Sequence, residues 1–120
     1  MPKKILLISR SAPYGRSTAR EALDVALAAS VYDQDISILF MDDGVFQLLK
    51  NQHSELIAQK NIASILPALP LYDIDNIYIH QESLDERAIV FDDLILNDMK
   101  PLNNKDVGHL LQQQDQLLSF

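Results

Sequence analysis

The sequence predicts a single α/β domain, a layered sandwich in which helices cover a mostly parallel central sheet. Its 120 residues are a common size for one domain, and a hydrophobic content of 48% is enough to fill one core. Short apolar runs alternate along the chain with amphipathic segments of helical period. This alternation is typical of parallel strands joined by right-handed crossovers, so we expect residues 1–120 to form one such domain.

The beginning of the chain predicts a strand, a helix and a second strand. Lys4–Ser9 is mostly apolar, as expected of a parallel strand that is covered on both faces. Thr18 and Glu21 have the spacing of a capping box, which predicts a helix from Thr18 to about Val31. Asp35–Met41 is the next apolar run and predicts the second strand.

The first predicted helix has one apolar stripe that we expect to pack on the sheet. Its members recur at helical spacing and are Leu23, Ala26, Leu27 and Val31. After the second strand, Asp42-Asp-Gly44 predicts a turn. Val45–Lys50 then predicts a short helix that leaves the carboxyl end of this strand.

The second half of the chain predicts three more helices and two more strands. A helix over Ser54–Leu66 is expected to end near the prolines that follow it, and alternating apolar residues predict a strand at Asp75–His80. Ser83 and Glu86 form a second possible capping box, which predicts that a short helix opens there. The remaining predicted elements are a helix at Asp106–Gln113 and a strand at Gln116–Phe120, whereas Ile89–Leu96 indicates no particular element.

Composition limits the classes of function that this chain can have. It contains no cysteine, which excludes disulfides, cysteine-ligated zinc and thiolate nucleophiles, and a cytoplasmic location is the expectation. The net charge of -7 disfavours direct binding to nucleic acid phosphates. The apolar run Ile5–Ile8 is too short for a signal peptide or a membrane span.

Candidate chemistry is expected at the carboxyl ends of the strands, where ligands of such sheets usually bind. Asp42 and Asp43 could hold magnesium or act as an acid/base pair, although a capped turn is the better interpretation. His80 ends a predicted strand and could carry a proton near neutral pH. With His53 and His109 it has no metal-ligand spacing, so we expect neither a metal nor a cofactor.

The loop Ser9–Ser17 could hold an anion at the start of the first helix. Its single Gly15 matches neither nucleotide-binding fingerprint, so an ordinary turn is the better interpretation.

Apolar residues in the middle of the chain exceed what one flank of a small sheet must bury. Some of them are candidates for contact with another subunit, although an ordinary core explains them as well. The interface candidates are Phe46, Leu48, Leu49, Leu71 and Tyr72.

Several short segments, taken together, resemble the TusC/DsrF family. They occur in the same order and with similar spacing, and they are Ser11–Gly15, Arg20–Asp24, Asp43–Leu49, Leu71–Ile74, Ser83–Arg87 and Leu117–Phe120. The resemblance implies a DsrE-like fold and membership of a TusBCD-type complex, a dimer of heterotrimers with TusB-like and TusD-like subunits. Such a complex relays persulfide sulfur through a TusE-like acceptor toward 2-thiolation of the wobble uridine in tRNA.

In that relay, the resemblance implies that the TusD-like subunit carries sulfur on a cysteine at the end of the strand that corresponds to Ile77–His80. His80 lies at or near that position, and imidazole does not provide the sulfur–sulfur linkage of a persulfide carrier. We therefore expect a structural subunit without a catalytic residue of its own. Two alternatives stay open: a DsrEFH-type subunit of sulfur oxidation, and a small α/β enzyme or phosphoacceptor module that uses Asp42, Asp43 or His80.

Overall fold

The structure is a computed structural model, and it describes residues 3–12, 18–32, 34–49, 65–95 and 98–120. Within these residues, five strands form one parallel sheet with the order β4-β3-β2-β1-β5. The strands are β1 at Lys4–Ser9, β2 at Asp35–Phe40, β3 at Asn76–His80, β4 at Lys100–Leu102 and β5 at Gln116–Ser119. The α-helices are α1 at Thr18–Ser30, α2 at Gln81–Glu86 and α3 at Asn104–Gln112.

Two longer 3₁₀ helices, Asp42–Leu48 and Leu66–Tyr72, lie between β2 and β3, and a short one at Phe91–Asp93 follows α2. No described helix combines the length and apolar character that a membrane crossing requires.

The direction of the crossovers decides which elements cover each face of the sheet. From β1 to β4 each strand is added on the same side of its predecessor, so right-handed connections place all of their helices on one face. The return from β4 to β5 runs the other way, and a right-handed connection then places α3 on the opposite face. The core residues agree, since Leu23, Leu69 and Leu84 pack on one face, whereas Val107 and Leu110 pack on the other.

The side chains of the sheet alternate between these two cores. Leu7 of β1 is paired with Ile38 of β2 and contributes to the larger core, under α1, α2 and the 3₁₀ helices. Leu6 points to the other face and joins Leu39 in the smaller core beneath α3. Both faces of β1 are therefore buried, which explains why its sequence is an almost continuous apolar run.

The predicted α/β fold with a parallel central sheet is confirmed. The first strand has the predicted bounds, and the second, third and last strands agree to within one residue of those predicted. Helix α1 ends at Ser30, and Val31 is 72% exposed, so its predicted packing on the sheet is wrong. Leu23 and Ala26 of the same predicted stripe are buried as expected.

Three further predictions are corrected by the structure. The short helix after β2 is a 3₁₀ helix that begins at Asp42 rather than at Val45. Helix α2 begins at Gln81, before the predicted capping box, and its Ser83 lies inside the helix. Helix α3 begins two residues earlier than predicted, since the side chain of Asn103 accepts a hydrogen bond from the backbone N–H of Asp106 at 2.8 Å and caps it.

Strand β4 was not predicted. It is three residues long and contains Pro101, which an edge strand tolerates because its N–H is not needed there. Residues 50–64, which include most of the helix predicted at Ser54–Leu66, lie outside the described part of the chain, as do residues 13–17 of the loop after β1.

The five interface candidates differ in burial. Leu48 is fully buried in the core of its own chain, so it cannot contact another subunit and its assignment is wrong. Phe46 and Leu49 are half-buried and pack against that core. Leu71 and Tyr72 are exposed at the end of the second 3₁₀ helix and stay candidates.

Gly44 permits a close approach between the chain after β2 and the end of β1. A Cβ at this position would lie 2.0 Å from the carbonyl oxygen and 2.7 Å from the carbonyl carbon of Ser9. These are backbone atoms of a central strand, and Ser9 also accepts a hydrogen bond from the N–H of Met41 at 3.1 Å. Any side chain at position 44 therefore forces β1 and the 3₁₀ helix apart.

We expect Gly44→Ala to lower the free energy of unfolding by about 3 kcal/mol, the upper range for overpacking in a core. Gly108→Ala is the matched control, because a Cβ there meets nothing within 4 Å and alanine favours the interior of α3. That control is expected to gain about 0.5–1 kcal/mol. Urea unfolding followed by circular dichroism measures both, and equal stability of the two variants would contradict the close approach at Gly44.

Candidate functional site

The carboxyl ends of β1, β2 and β3 bring polar residues from separate parts of the chain together. Arg10 follows β1, Asp42 and Asp43 follow β2, and His80 ends β3. Ser83 of α2 lies among them, and its hydroxyl is hydrogen-bonded both to the backbone N–H of Asp42 and to the ring of His80. The residues that the sequence nominated therefore share one edge of the sheet, but they do not form one cluster of acids.

Asp42 has a backbone conformation that side chains seldom adopt. Its φ is 51°, and its N–H donates to the hydroxyl oxygen of Ser83 at 2.9 Å. Its carboxylate accepts from Nε of Arg10 at 2.7 Å, although both side chains are substantially exposed, so this pair contributes at most about 1 kcal/mol. Asp42 is thus held by two neighbours in a left-handed turn, a conformation that aspartate tolerates better than most residues.

Asp43 turns away from Asp42 and binds a different arginine. Its carboxylate oxygen accepts from Nη2 of Arg87 at 3.0 Å and from Nε at 3.2 Å. The same guanidinium donates to the backbone oxygen of Ser83 at 3.1 Å and lies 5.8 Å from the ring centre of Phe46. These contacts fasten α2 to the 3₁₀ helix Asp42–Leu48. The two aspartates are thus paired separately, each with its own arginine.

His80 is the centre of a hydrogen-bonded chain that joins three helices. Its Nδ1 lies 2.7 Å from the hydroxyl oxygen of Ser83, and its Nε2 bonds to Oδ1 of Asn104, the first residue of α3. Asn104 in turn donates from its side-chain nitrogen to the carboxylate of Glu82. The His80 side chain therefore connects the end of β3 to α2 and to the helix on the opposite face.

The direction of the hydrogen bonds from Glu82 through Asn104 to His80 assigns the tautomer of His80. A carboxylate only accepts, so Glu82 fixes the amide of Asn104 with its oxygen toward the imidazole. Nε2 must then carry a hydrogen, and Nδ1 accepts the hydroxyl hydrogen of Ser83. The oxygen of Ser83 still has a lone pair for the N–H of Asp42.

The polar atoms of this arrangement are bonded to one another. His80 is only 9% exposed, Ser83 is buried, and both ring nitrogens of His80 are hydrogen-bonded to neighbouring side chains. Within the described ranges, no three histidine or acidic residues are grouped in a way that could hold a metal ion.

Another buried polar contact closes the end of β1. The side-chain nitrogen of Gln47 donates to the hydroxyl of Ser9 at 2.7 Å and to the backbone oxygen of Ser11 at 2.9 Å. Gln47 belongs to the 3₁₀ helix after β2, so this contact holds that helix against the first strand. Together with Gly44, it fixes the ends of β1 and β2 relative to each other.

An open groove of about 380 Å³ lies at the point where the crossovers change direction, between β1 and β5. Arg10, Ser11, Ser119 and Phe120 line it, with Asp42 and Asp43 at its side. Open parallel sheets commonly bind ligands at such a point. Here the charged side chains of the groove are already paired, Arg10 with Asp42 and Asp43 with Arg87.

Of the other two histidines, the one that the structure describes does not join this site. His109 lies on α3 beside Tyr78 and Leu102, where it lines a separate shallow cavity, and His53 lies outside the described residues. Sequence reasoning missed Arg10, Arg87 and Asn104. Their partners are distant in the sequence, with Asn104 lying 24 residues from His80, so no local spacing marks them.

The model of the DsrE/DsrF-like family matches residues 3–120. The chain belongs to this family. The resemblance to TusC/DsrF proteins that the sequence motifs indicated is thereby confirmed.

Similar proteins cover the chain over its full length. It is 39% identical over 120 residues to "Protein TusC homolog" of Pseudomonas aeruginosa, with all of both chains covered. It is 42% identical to "Protein TusC homolog" of Aliivibrio fischeri, over 94% of this chain and 95% of that protein. It is 34% identical to "Intracellular sulfur oxidation protein DsrF" of Allochromatium vinosum, over 98% and 96% of the respective chains.

Solved structures agree on the fold. The ychN protein from E. coli superposes with a TM-score of 0.82 at 22% identity and covers 98% of this chain and 99% of its own. The MTH1491 protein from Methanobacterium thermoautotrophicum superposes with a TM-score of 0.66 at 14% identity, over 97% and 96% of the two chains. The predicted DsrE-like fold is therefore confirmed.

Ser83→Ala tests the hydrogen-bonded chain around His80. The change leaves the N–H of Asp42 and Nδ1 of His80 without their partner, so we expect a loss of about 1–3 kcal/mol in the free energy of unfolding. Ser30→Ala is the matched control, since its hydroxyl bonds only to Leu27 of its own helix and its loss should stay within about 0.5 kcal/mol. If the two changes lower the free energy of unfolding equally in urea, the hydrogen bonds of Ser83 do not stabilise the contact between β3, α2 and the chain after β2.

Proposed function

We propose that this chain is the non-catalytic, structural subunit of a TusBCD-type sulfurtransferase complex. In this proposal two copies each of a TusB-like, a TusC-like and a TusD-like subunit form a dimer of heterotrimers, and this chain is the TusC-like one. The complex relays persulfide sulfur to a TusE-like acceptor for 2-thiolation of the tRNA wobble uridine. The observation that carries the proposal is the match to TusC homologs over the whole chain.

The absence of cysteine supports the structural role. In persulfide relay a thiolate attacks the outer sulfur of a donor persulfide, the donor leaves as a thiolate, and the transferred sulfur stays on the attacking sulfur as a new persulfide. This sequence offers no such thiolate. A partner must therefore supply the carrier, and this subunit would contribute the surface that positions and shields it.

The closed contacts of His80 support the same role. By the resemblance, His80 lies at or near the place of the carrier cysteine in TusD-like proteins. In this chain the side chain is buried and bound on both nitrogens, so it is suited to holding β3, α2 and α3 together rather than to touching a substrate.

A DsrEFH-type subunit in sulfur oxidation is the second candidate. The 34% identity to a protein named for intracellular sulfur oxidation favours it, and the same subunit plan would serve both pathways. We favour the tRNA relay because two proteins named TusC homolog are more similar, at 39% and 42% identity.

An independent enzyme or phosphoacceptor that uses Asp42, Asp43 or His80 is supported least. Each aspartate is paired with a different arginine, and His80 is enclosed by side chains. A phosphoacceptor needs a cation bound beside its carboxylate, and here each exposed carboxylate is paired with an arginine instead.

Assembly through apolar surface is part of the proposal. Leu71 and Tyr72 are the most exposed of the predicted interface residues, whereas Phe46 and Leu49 offer only part of their surface. Burial of such residues between subunits is typical of obligate complexes. We further propose that the chain acts in the cytoplasm as one domain of 120 residues and binds neither membrane nor nucleic acid directly, as its acidic charge suggests.

Co-expression of this chain with the products of the two adjoining reading frames tests the proposal. Native mass spectrometry is expected to show a complex with two copies of each chain. After loading with a persulfide donor, intact-mass analysis should find the added sulfur on a partner and not on this chain. A lone monomer or homo-oligomer that binds neither product would refute the proposal and favour the enzyme alternative.

Leu71→Glu tests the interface assignment. A carboxylate at a position that is 84% exposed should not change the thermal unfolding of the isolated chain, but it should prevent burial of that position in a complex. We expect the binding constant to fall more than tenfold, a loss of more than about 1.4 kcal/mol in binding free energy. In size-exclusion chromatography the yield of assembled complex should then be less than a tenth of that of the wild type. Val90→Glu, at an exposed apolar position outside the candidates, is the control. Normal assembly of the Leu71 variant would remove that residue from the interface.

A further inference from the structure

Two connections in this chain carry the same five-residue pattern, an aliphatic residue followed by Tyr, Asp, any residue and Asp. The first copy is Val31–Asp35 and the second is Leu71–Asp75. Each copy leads directly into a strand, the first into β2 and the second into β3. Because β2 and β3 are parallel neighbours, both copies lie at the same edge of the sheet, opposite the edge that holds His80.

The apolar members of both copies are exposed. Val31 is 72%, Tyr32 73%, Leu71 84% and Tyr72 48% exposed, and they are four of the six large exposed apolar residues among those described. Helix α1 and the 3₁₀ helix Leu66–Tyr72, which end beside them, are in contact and cover the same face of the sheet. We call these four residues the amino-edge patch.

The backbone that carries this patch is held in place. In the first copy, the N–H of Tyr32 donates to Ala29 at 3.1 Å, and Gln34 bonds both to Tyr32 and to the N–H of Lys3. In the second copy, the N–H of Asp73 donates to Pro70 at 3.0 Å, and Ile74 is fully buried in the core. A surface that is already ordered loses little conformational freedom when a partner binds.

The surroundings of the patch are mainly acidic. Asp35, Asp73 and Asp75 are exposed beside it. Lys3 and Lys4 begin the neighbouring strand β1 and border it on one side, where the N–H of Lys4 is bonded to the carboxylate of Asp115. On the other side, Asp98 is exposed just before β4.

Tyrosine rings beside carboxylates suit a cationic partner. The face of a tyrosine attracts a guanidinium or ammonium group, and a carboxylate pairs with it. Tyrosine and arginine are also enriched in the centres of protein interfaces. A second copy of this chain fits less well, because it would bring like charges together on chains of net charge -7.

We propose that the amino-edge patch is the docking surface for a basic segment of a partner subunit, one that carries arginine or lysine between aliphatic side chains. The aliphatic residues of the segment pack on Val31 and Leu71, and its cations lie over Tyr32 and Tyr72 and pair with the flanking carboxylates. This inference rests on the proposed function, because the occupant is another subunit of the complex. It adds the chemistry that the partner must have.

The double variant Asp73→Asn with Asp75→Asn tests the charge requirement. Asparagine keeps the shape of aspartate and tolerates the left-handed φ of 61° at position 73, so the fold should be unchanged. The matched control removes two carboxylates at the opposite edge of the sheet, by Asp85→Asn with Asp106→Asn. We expect binding to the co-expressed partners to weaken about tenfold at low salt for the first variant and less than about twofold for the control.

The salt dependence separates charge from packing. The difference between wild type and the Asp73/Asp75 variant should shrink as NaCl rises from 0.05 to 1 M, because salt screens pairs of exposed charges. A further variant, Tyr32→Ala with Tyr72→Ala, should weaken binding about thirtyfold or more at every salt concentration, as loss of aromatic anchors does. If the wild type assembles and the Asp73/Asp75 variant binds as the wild type does at all salt concentrations, this inference is overturned and the proposed function stands.

A second measurement does not depend on the partner subunits. An eight-residue peptide of alternating arginine and leucine is titrated into the isotope-labelled full chain, with a glutamate–leucine peptide as control. Salt-sensitive NMR shifts confined to the amino-edge patch and its flanking carboxylates support the inference, even if the wild type binds neither neighbour and the proposed function fails. Shifts elsewhere, no shifts, or a salt-insensitive homodimer through this patch would overturn it.

Discussion

The right-handedness of the crossovers is the constraint on which the rest of this structure depends. Three steps in one direction place α1, α2 and the 3₁₀ helices on one face, and the single step back places α3 alone on the other. The larger core, the smaller core and the groove between β1 and β5 all follow from that one reversal. The carboxyl ends of β1, β2 and β3 meet at one edge because these strands are parallel, and this gathers Arg10, Asp42 and His80.

His80 links the two faces of the sheet at the edge where β3 ends, beside the direct hydrogen bond from Asn104 of α3 to Glu82 of α2. Through Asn104 it binds the first residue of α3, and through Ser83 it binds a helix that packs on the other face. The hydrogen bonds of His80 therefore hold the layers on the two faces of the sheet together at the end of β3.

Much of the fold could be predicted from local pattern, but the site could be predicted only in part. Lys4–Ser9 was recognisable because burial on both faces demands an apolar run, whereas Lys100–Leu102 has a proline and little apolar character to mark it. Ser83 lies three residues from both Glu86 and His80. The spacing to Glu86 suggested a capping box, whereas the Ser83 hydroxyl is hydrogen-bonded to His80. Leu48 is fully buried and its neighbour Leu49 is half-buried. The sequence alone does not show which of the two faces the core, because this depends on the path of the 3₁₀ helix.

The position of β1 in the sheet affects how the chain can fold while it is being synthesised. Strands β1 to β4 lie side by side in the order of their synthesis, but β5 pairs with β1 after more than a hundred residues have intervened, and Lys4 is bonded to Asp115 across 111 positions. One edge of the most apolar strand therefore stays open during translation until residues 116–119 are available. An unpaired, apolar strand edge is a template for aggregation, so the stage before β5 is made is the one at which the nascent chain is most exposed to it.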